Sequence, residues 1–529
     1  MSDAPVVQAH DDPVVFSFPE LHEQINDKAR EAFVGAATVD SSASFAQAAP
    51  PADTLGWDTV FAIRATDVNK AIVKQKTTPP TFDSGDLGGG WSIKGNFNDW
   101  QITTGGDGEN LNVLVPASSG NMIFGGKTYS LAGAVVTAQY KLELIPGNPP
   151  PTAPTKSGSN HKFKPKTTAE NANDPIVAAI QVTVPAATQQ TWPAGMAPSA
   201  VIALIQGAFG TFLSNTVQDF TQTFAAVDLN VMADQGSLQW LKPAYTSYAF
   251  ADGTSLENSF FGVLTLTSDI SRAENLKHEL APSAIPTNQR SAFLISQQLF
   301  MQQAILPGLP HAFKSASASD FKLINNDTEV VNTTKDTVQL DSVKYGAIEY
   351  HPYLDSFDLV IDTAEFVTTL TAKVQISPGI VTYIDITTYH GLKLEQKTNG
   401  KQTIGFSETR PYKSSHRVHT APGVIITEVI ASLIVAVVGA VVGKMAETIA
   451  KRIVIAIIVA IIAGIITGIQ LIITEVIAKG VAESMPEIDP LVQTGTDPIT
   501  WPTQTSNFTI TAVGLNMSVQ LSGDPGFAD

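Results

Sequence analysis

Strict alternation of apolar and polar residues recurs along the chain and predicts β-strands. It covers 138–144, 370–376 and 513–521, where every second residue is apolar. In a strand, successive side chains point to opposite faces, so these segments have one buried and one solvated face. Half-solvated strands are typical of antiparallel sheets, because parallel sheets are usually buried on both faces. We therefore expect a β-rich α+β protein built on antiparallel sheets.

Three shorter segments have apolar positions spaced as in a helix. The segment Ala200–Phe212 follows Pro198, and Ile202, Ile205 and Phe209 fall on one stripe. Val68–Lys74 is expected to be a short helix. Ser291–Leu306 has a polar stripe and an apolar face, and Pro307 is expected to end it.

The segment 424–479 departs from the rest of the chain. Its central run, Ile453–Ile473, has 21 residues, of which eleven are isoleucine and none is charged. The run does not alternate, and small residues recur four positions apart, which places them on one face of a helix. Rows of small residues let two helices approach closely. Candidates for such close helix packing are Gly439, Gly443, Ala456, Ala460, Gly464 and Gly468.

Whether 424–479 is one long helix or a helical hairpin stays open, and a hairpin would have to break near Gly443. As a helix, Ile453–Ile473 would be about 31 Å long, which is enough to cross a bilayer. The alternative is a helix buried on all sides by a surrounding sheet. If the segment meets a membrane, the candidate lipid-contacting residues are Ile453, Ile457, Ile461, Ile465 and Ile469.

Composition and charge narrow the possible functions. The chain has 529 residues, no cysteine and a formal net charge of −17. The absence of cysteine excludes disulfides, thiolate zinc sites and a cysteine nucleophile. The acidic balance argues against nucleic acid as a partner. Because the first residues lack a basic start and an apolar core, we expect synthesis in the cytoplasm without a Sec signal peptide, with any release by another route.

Catalytic and ligand motifs are weak throughout. Gly126-Lys127-Thr128 resembles the end of a phosphate-binding loop, but its first glycine is replaced by Asn121. His416 and His419 lie three apart with no carboxylate evidently beside them. We expect no catalytic, cofactor or metal site and no enzymatic activity. A basic cluster, Lys162, Lys164 and Lys166, lies in a segment predicted to be an exposed loop and is a candidate contact for lipid headgroups.

Several segments, in this order, resemble one protein family. The resemblance begins with Leu55-Gly56-Trp57-Asp58-Thr59-Val60-Phe61-Ala62-Ile63 and continues through 68–72, 90–97, 292–296, 305–307, 355–357 and 376–380. This pattern is similar to the clostridial OrfX and P47 proteins of bacterial toxin gene clusters. The resemblance covers about residues 53 to 405 and rests on the common order of the segments.

The resemblance implies a TULIP (tubular lipid-binding), BPI-like fold, in which strongly bent antiparallel sheets wrap long helices. It also implies a non-enzymatic accessory protein of a toxin locus that contacts a lipid or membrane surface. Two alternatives stay open, namely direct membrane insertion or pore formation by 424–479, and a scaffold that binds a protein partner from a toxin complex. We expect an N-terminal extension, 1–52, and two TULIP-like parts, 53–310 and 311–529.

Overall fold

The structure, a computed structural model, describes residues 50–146, 160–169, 171, 175–229, 237–464 and 468–527. Strands account for 39% and helices for 28% of the described residues, which confirms the β-rich α+β class. Every described strand pair of the sheets is antiparallel. Of the predicted extension, 1–49 lies outside the described residues.

The chain divides into two compact units. The first comprises Ala48–Ser296 with Pro490–Asp529, and the second, among the described residues, is Gln297–Asp489. These bounds differ from the predicted parts, 53–310 and 311–529, because the last strands of the chain pair with a sheet of the first unit.

The first unit contains three sheets. The central six-stranded sheet runs in the order Tyr245–Ala251, Phe260–Leu266, Thr59–Arg64, Ser291–Ile295, Ser518–Asp524 and Thr509–Asn516. A second sheet follows the order Ala178–Thr183, Val135–Tyr140, Asn110–Phe124, Ser92–Phe97 and Thr81–Asp83, and Gln101–Asp107 and Lys127–Ser130 also pair with its long strand. A four-stranded sheet has the order Ile499–Thr500, Ala225–Asp228, Asn160–Pro165 and Leu142–Pro146.

Two helices of this unit occur where the sequence predicts them. They are Ala65–Gln75 and Pro198–Asn215, and the second begins with a proline, whose missing N–H costs nothing in a first helical turn. A four-residue helix, Ala186–Gln189, lies between them in the chain. Single turns of 3₁₀-helix occur at Val217–Asp219, Gln239–Leu241 and Leu256–Asn258, with a longer stretch at Ile270–Asn275.

The second unit is built on one large sheet. Its strands run in the order Phe321–Ile324, Glu329–Asn332, Tyr353–Asp362, Glu365–Ser377, Ile380–Gln396 and Gln402–Glu408, and Lys413–Thr420 pairs with the long strand Ile380–Gln396. A separate hairpin joins Val343–Tyr345 and Ile348–Tyr350. On the strand Glu365–Ser377 the residues at every second position from Phe366 to Ile376 are buried, which gives the sheet one apolar face.

Helical segments of the second unit begin with four short consecutive turns, Gln297–Phe300, Met301–Ile305, Leu306–Gly308 and Leu309–Ala312. A continuous helix follows at Glu428–Ala463. We call Glu428–Lys444 the outer arm and Ala450–Ala463 the inner arm, and a π-helical turn, Met445–Ile449, joins them. The remaining helices are the return helix, Ile469–Lys479, then Val481–Ser484 and, across the division between units, Asp489–Thr496.

Two sequence predictions differ from the structure in detail. The helix predicted for Ser291–Leu306 begins only at Gln297, because Ser291–Ile295 is a central strand buried on both faces and therefore shows no alternation. The strand predicted over 513–521 is a hairpin of two strands, and Met517 makes the turn with a positive φ of 62°.

Candidate functional site

The inner arm is buried along almost its entire length. Every residue from Ile453 to Ile462 is buried, with the exposed fraction of Ile453, Ile457 and Ile461 at 0%. Of the other predicted lipid-contacting residues, Ile469 begins the return helix and is buried, and Ile465 lies outside the described residues. The inner arm therefore presents no isoleucine for lipid contact while it stays folded in this place.

Small residues on the inner arm permit close packing against the helical turns around Gly308. A Cβ atom placed on Gly308 would lie 3.1 Å from the carbonyl oxygen of Ala456 and 3.1 Å from Cβ of Ala460. Both distances are shorter than ordinary van der Waals contact. Of the residues predicted for close helix packing, Ala456 and Ala460 thus lie against a close neighbour.

The inner arm ends at Gly464, and this break answers the question of one helix or two. Gly464 has a φ of 70° and Gly468 a φ of 97°, in the region that glycine adopts without steric cost. The return helix then packs against the inner arm. The segment therefore contains two helices, one ending at Ala463 and one beginning at Ile469, and the break expected near Gly443 is wrong because the helix continues through Lys444.

The outer arm is buried on one stripe only. Its buried residues are Ile434, Val437, Val438, Val441 and Val442, which follow the spacing of one helical face. This stripe packs against the large sheet and against Val343–Tyr345 of the hairpin. Thr427 caps the arm by accepting a hydrogen bond from the Ile430 N–H at 3.4 Å.

The opposite face of the outer arm is apolar apart from Ser432, and its residues are exposed or half-buried. The side chain of Val429 and that of Ile425, which precedes the arm, are each 79% exposed. Among the described residues no heavy atom from outside the local helix lies within 4 Å of a Cβ placed on Gly439 or Gly443. The predicted packing row on this arm therefore faces open space. Between Glu428 and Lys444 the arm carries no charged residue.

By length and composition, the helix Glu428–Ala463 is the one helix among the described residues that could cross a membrane. Only 33% of the residues in its most apolar 18-residue window are buried. Soluble core helices also pass such a length test, but they are mostly buried. The low buried share of this window distinguishes the helix from an ordinary core helix.

Two neighbouring elements of the second unit also expose apolar side chains. On the hairpin that packs against the outer arm, Tyr345 is 48% and Ile348 is 54% exposed. On the return helix, Leu471 is 65% and Ile477 is 41% exposed. Single exposed apolar residues are normal, so the outer arm, with its open apolar row, is the candidate site.

Charged groups are concentrated at the junction between the two arms. Arg452 Nη1 lies 2.6 Å from Asp341 Oδ2, and Lys314 Nζ lies 2.9 Å from Asp341 Oδ1. The side chain of Asp341 is only 5% exposed. Burial acts to raise the pKa of Asp341, but its contacts with Lys314 and Arg452 outweigh burial and lower that pKa.

A buried imidazole lies on the helix-facing side of the sheet near the same junction. The ring centroid of His390 is 5.8 Å from that of Phe406, and His390 Nδ1 has no hydrogen-bond partner. Burial, together with the positive charge of Lys451, lowers the pKa of His390 to about 4. Burial raises the pKa of Glu408, which pairs with His390 across the neighbouring strand.

The three candidate headgroup lysines lie in the first unit. Lys162 and Lys164 belong to the strand Asn160–Pro165, and Lys166 follows it. Lys162 is exposed and Lys164 half-buried, and both alternate with the buried Phe163. The expected long loop therefore contains a strand, and whether these lysines contact headgroups stays a prediction.

Elsewhere among the described residues, histidine and carboxylate groups do not form a recognisable catalytic arrangement. His278 Nδ1 lies 2.5 Å from Glu109 Oε1 and 3.5 Å from Ser247 Oγ. A Ser–His–acid triad needs the two ring nitrogens to serve the serine and the acid separately, whereas one nitrogen faces both here. In the part of the chain that the structure describes, no group of three or more His, Asp or Glu side chains could hold a metal ion.

Sequence reasoning found the apolar segment but missed the residues that hold its junction. His390 falls on the apolar positions of an alternating strand, at every second residue from Ile384, and this place in the pattern could have identified it as buried. Asp341 lies in a segment without periodicity, and no sequence signal connects it with Arg452, which is 111 residues away.

Comparisons with known proteins agree on one family. The family model OrfX-like: Protein OrfX2/OrfX3/P47 matches residues 54–523. Protein OrfX3 of Paraclostridium bifermentans is 27% identical over 396 residues, which cover 67% of this chain and 75% of that protein. Protein OrfX3 of Clostridium botulinum (strain Kyoto / Type A2) is 26% identical over 380 residues, which cover 67% of this chain and 76% of that protein.

A solved structure shares the fold. The structure of P47 from Clostridium botulinum A2 superposes with a TM-score of 0.55 at 18% identity, covering 90% of this chain and 98% of that one. At this identity the likeness concerns the fold alone.

Proposed function

The chain belongs to the OrfX-like family, and from this premise we propose that it is a non-enzymatic accessory protein of a bacterial toxin locus that docks on lipid surfaces through its outer arm. The observation that carries the proposal is the open apolar face of this arm. An exposed helical face of this kind marks an interaction surface in a soluble protein.

The chemistry of the outer arm favours a lipid partner. Its open face combines the exposed Val429 with the half-buried Leu433 and Ala436, and it has no charged group between the ends of the arm. Each valine or leucine that passes from water to an apolar environment contributes about 1.5–3 kcal/mol. Glu428 and Lys444 at the two ends can stay in the headgroup region while the residues between them contact acyl chains.

The fold is part of the same proposal. A long antiparallel sheet with an apolar helix packed on one face is consistent with a TULIP-type unit, in which lipid binds where helix and sheet meet. Under this proposal the inner arm is a permanent core element, and the outer arm is the part that reaches the lipid.

A scaffold that binds a protein of a toxin complex is the second candidate. The burial of the inner arm supports it, because a helix that is already covered needs no membrane to satisfy its side chains. The exposed outer arm would then contact a protein instead of a lipid. A pore formed by 424–479 receives less support, since the isoleucines of the inner arm would first have to leave the core.

Co-sedimentation with liposomes tests the proposal. Wild type is compared with the double variant Ile425→Asp/Val429→Asp, and Ile270→Asp in the first unit is the matched control because Ile270 is also an exposed apolar residue, at 53%. We expect the double variant to bind at least about tenfold more weakly, since two apolar contacts are replaced by charges. The control should bind as wild type does.

Two results would contradict the proposal. If wild type binds no liposome of any lipid composition, the lipid partner is wrong and the scaffold candidate stays. If the double variant binds as strongly as wild type, the outer arm is not the contact surface.

A further inference from the structure

We propose that the strand Lys413–Thr420 is a docking edge for an extended acidic segment of a partner protein, which adds a strand to the large sheet when it binds. This inference is independent of the lipid contact of the outer arm. It starts from the position of the strand in the sheet. Lys413–Thr420 pairs on one side with Ile380–Gln396, and among the described elements this neighbour is its one substantial packing partner.

The other side of Lys413–Thr420 is an open strand edge. In an antiparallel sheet every second residue directs both its N–H and its C=O away from the paired neighbour. Among the described residues of this strand other than His416, none makes a backbone hydrogen bond outside the pairing with Ile380–Gln396. The edge therefore carries main-chain donors and acceptors that another strand can use.

Other edge strands of the large sheet are short or covered. At the opposite side of the sheet, Phe321–Ile324 has only four residues. The strand Gln402–Glu408 packs against the inner arm, and its first carbonyl oxygen accepts a hydrogen bond from the Ile488 N–H at 3.0 Å. Lys413–Thr420, by contrast, has eight residues, no proline and no bulge in its pairing. Short length, cover, proline and bulges are common ways of blocking an edge, and this strand uses none of them.

The charge of this edge indicates the chemistry of the partner. From 409 to 427 the chain has no Asp or Glu, although the whole protein has a net charge of −17. On the strand, Lys413, Arg417 and His419 share one face, and Lys413 and His419 are exposed. Opposite charges on neighbouring strands attract, and like charges repel. An acidic strand is therefore the complementary one.

The guanidinium of Arg417 is already held in place and still has donors to offer. Its Nη1 atom lies 3.1 Å and 3.0 Å from the two carboxylate oxygens of Asp385, and the group lies over the Tyr383 ring at 4.8 Å. The side chain is nevertheless 42% exposed. A guanidinium has five N–H donors, so contact through one nitrogen leaves others for a second carboxylate. Because Arg417 is ordered before a partner binds, little side-chain entropy is lost.

The two histidines with metal-ligand spacing have separate positions on this strand. Side chains alternate along a strand, so His416 and His419, three residues apart, lie on opposite faces. His416 shares the face of the buried Val418, and His419 shares the face of Lys413. The pair therefore does not form a metal site. On its own face, His419 adds a hydrogen-bond donor for a carboxylate.

A second copy of this chain is a poorer occupant of the edge. If two copies of Lys413–Thr420 paired edge to edge, cations and histidines of one strand would lie beside those of the other, because the strand has no acidic residue. Such like-charge pairs are destabilising. Anionic lipid headgroups would match the charge, but they cannot form a ladder of hydrogen bonds with the main chain. The combination of an open ladder and a basic face therefore favours an acidic peptide strand.

Titration of the full chain with a synthetic peptide tests this docking edge. The probe is fluorescein-TEVEVEVT-amide, which has the same length as the strand and alternates acidic with apolar residues. We expect saturable binding by fluorescence anisotropy and slower amide hydrogen exchange in 413–420, with unchanged exchange in 321–324. The basic peptide fluorescein-TKVKVKVT-amide should not bind, because its charges repel those of the edge.

Variants of exposed residues connect this binding with the edge. Lys413→Glu/His419→Glu should weaken the binding of the acidic peptide by about tenfold, since both substitutions place a negative charge beside it. Lys322→Glu is the matched control, because Lys322 is exposed on the opposite edge strand, Phe321–Ile324. Its affinity for the peptide should equal that of wild type.

Four results would overturn the inference, and each is measured on wild type or on a variant of exposed residues. The first is no binding of the acidic peptide, and the second is binding without added protection in 413–420. The third is equal affinity in Lys413→Glu/His419→Glu and wild type. The fourth is protection of 413–420 that appears without peptide, either as protein concentration rises or on vesicles of phosphatidylserine, which would identify a second copy or a lipid headgroup as the occupant.

Discussion

The outer and inner arms are consecutive segments of one helix, and both consist almost entirely of Val, Ile, Ala and Gly. The inner arm contacts the short turns Met301–Ile305 and Leu309–Ala312, the strand Gln402–Glu408 and the return helix, and it is dry on all sides. The outer arm contacts a sheet face and one hairpin strand, and its residues outside the buried stripe are exposed or half-buried.

This difference shows that apolar composition alone does not decide between core and interface. The helical period places apolar residues all around both arms, and such a helix is stable in water only where other elements cover it. The elements that pack on each arm come from distant parts of the chain. How many of them there are therefore decides whether an arm belongs to the core or stays partly exposed.

The strongest way to test the comparison is to place a charge in each arm. Ile457→Asp should prevent stable folding of the second unit, with a loss of at least about 5 kcal/mol, because it buries a carboxylate without a partner. Val429→Asp on the open face should change the free energy of unfolding by less than about 0.5 kcal/mol. Denaturant unfolding followed by circular dichroism measures both. Equal destabilisation would mean that the arms do not differ in burial.

A smaller effect is expected at the junction itself. Asp341→Asn removes the buried negative charge that Arg452 and Lys314 share and should cost about 2 kcal/mol, since Arg452 keeps partial solvent contact. It should also increase hydrogen exchange in the first turn of the inner arm at neutral pH. Asp336→Asn, at an exposed ion pair with Lys373, should cost less than about 1 kcal/mol. Unchanged exchange of this turn in Asp341→Asn would show that the pair does not hold it.

The smallest effects concern two glycines. Gly308→Ala should destabilise the protein by about 1–2 kcal/mol, because the new methyl group lies 3.1 Å from atoms of the inner arm. Gly443→Ala should stabilise it by about 0.5–1 kcal/mol, since alanine favours the helix and the site is open. Thermal unfolding at neutral pH measures whether each substitution raises or lowers the stability of the protein. A destabilising Gly443→Ala would indicate a neighbour that covers the outer arm.

Much of the fold follows from local pattern. Alternation identified the strand Glu365–Ser377, and helical spacing identified Pro198–Asn215, because one face of each packs against the core. The central strand Ser291–Ile295 was missed because both of its faces are covered, which removes the alternation. The glycines at 464 and 468 were interpreted as a packing row, although their positive φ angles end one helix and begin the next.

The candidate site was only partly predictable for a physical reason. The sequence shows that the apolar side chains of 424–479 must pack against other elements. Those elements are the large sheet and the turns at 297–312. The sequence pattern does not indicate how far they extend along the helix. The junction depends on pairs such as Arg452 and Asp341, whose partners are set by the tertiary structure alone. Local reasoning therefore located the segment and left open which arm is exposed.

The pairing of the strand Ser291–Ile295 with Ser518–Asp524 has a consequence for synthesis. Ser291 Oγ donates a hydrogen bond to the carbonyl oxygen of Gly523, 232 residues later in the chain. While the ribosome makes the second unit, the central sheet has an unpaired apolar edge, which is a site for aggregation. The second unit consists mainly of hairpins between neighbouring strands and can form before translation ends. The first unit thus begins to emerge before the second unit and is completed after it, and a product truncated before Ser518 would carry an open sheet edge.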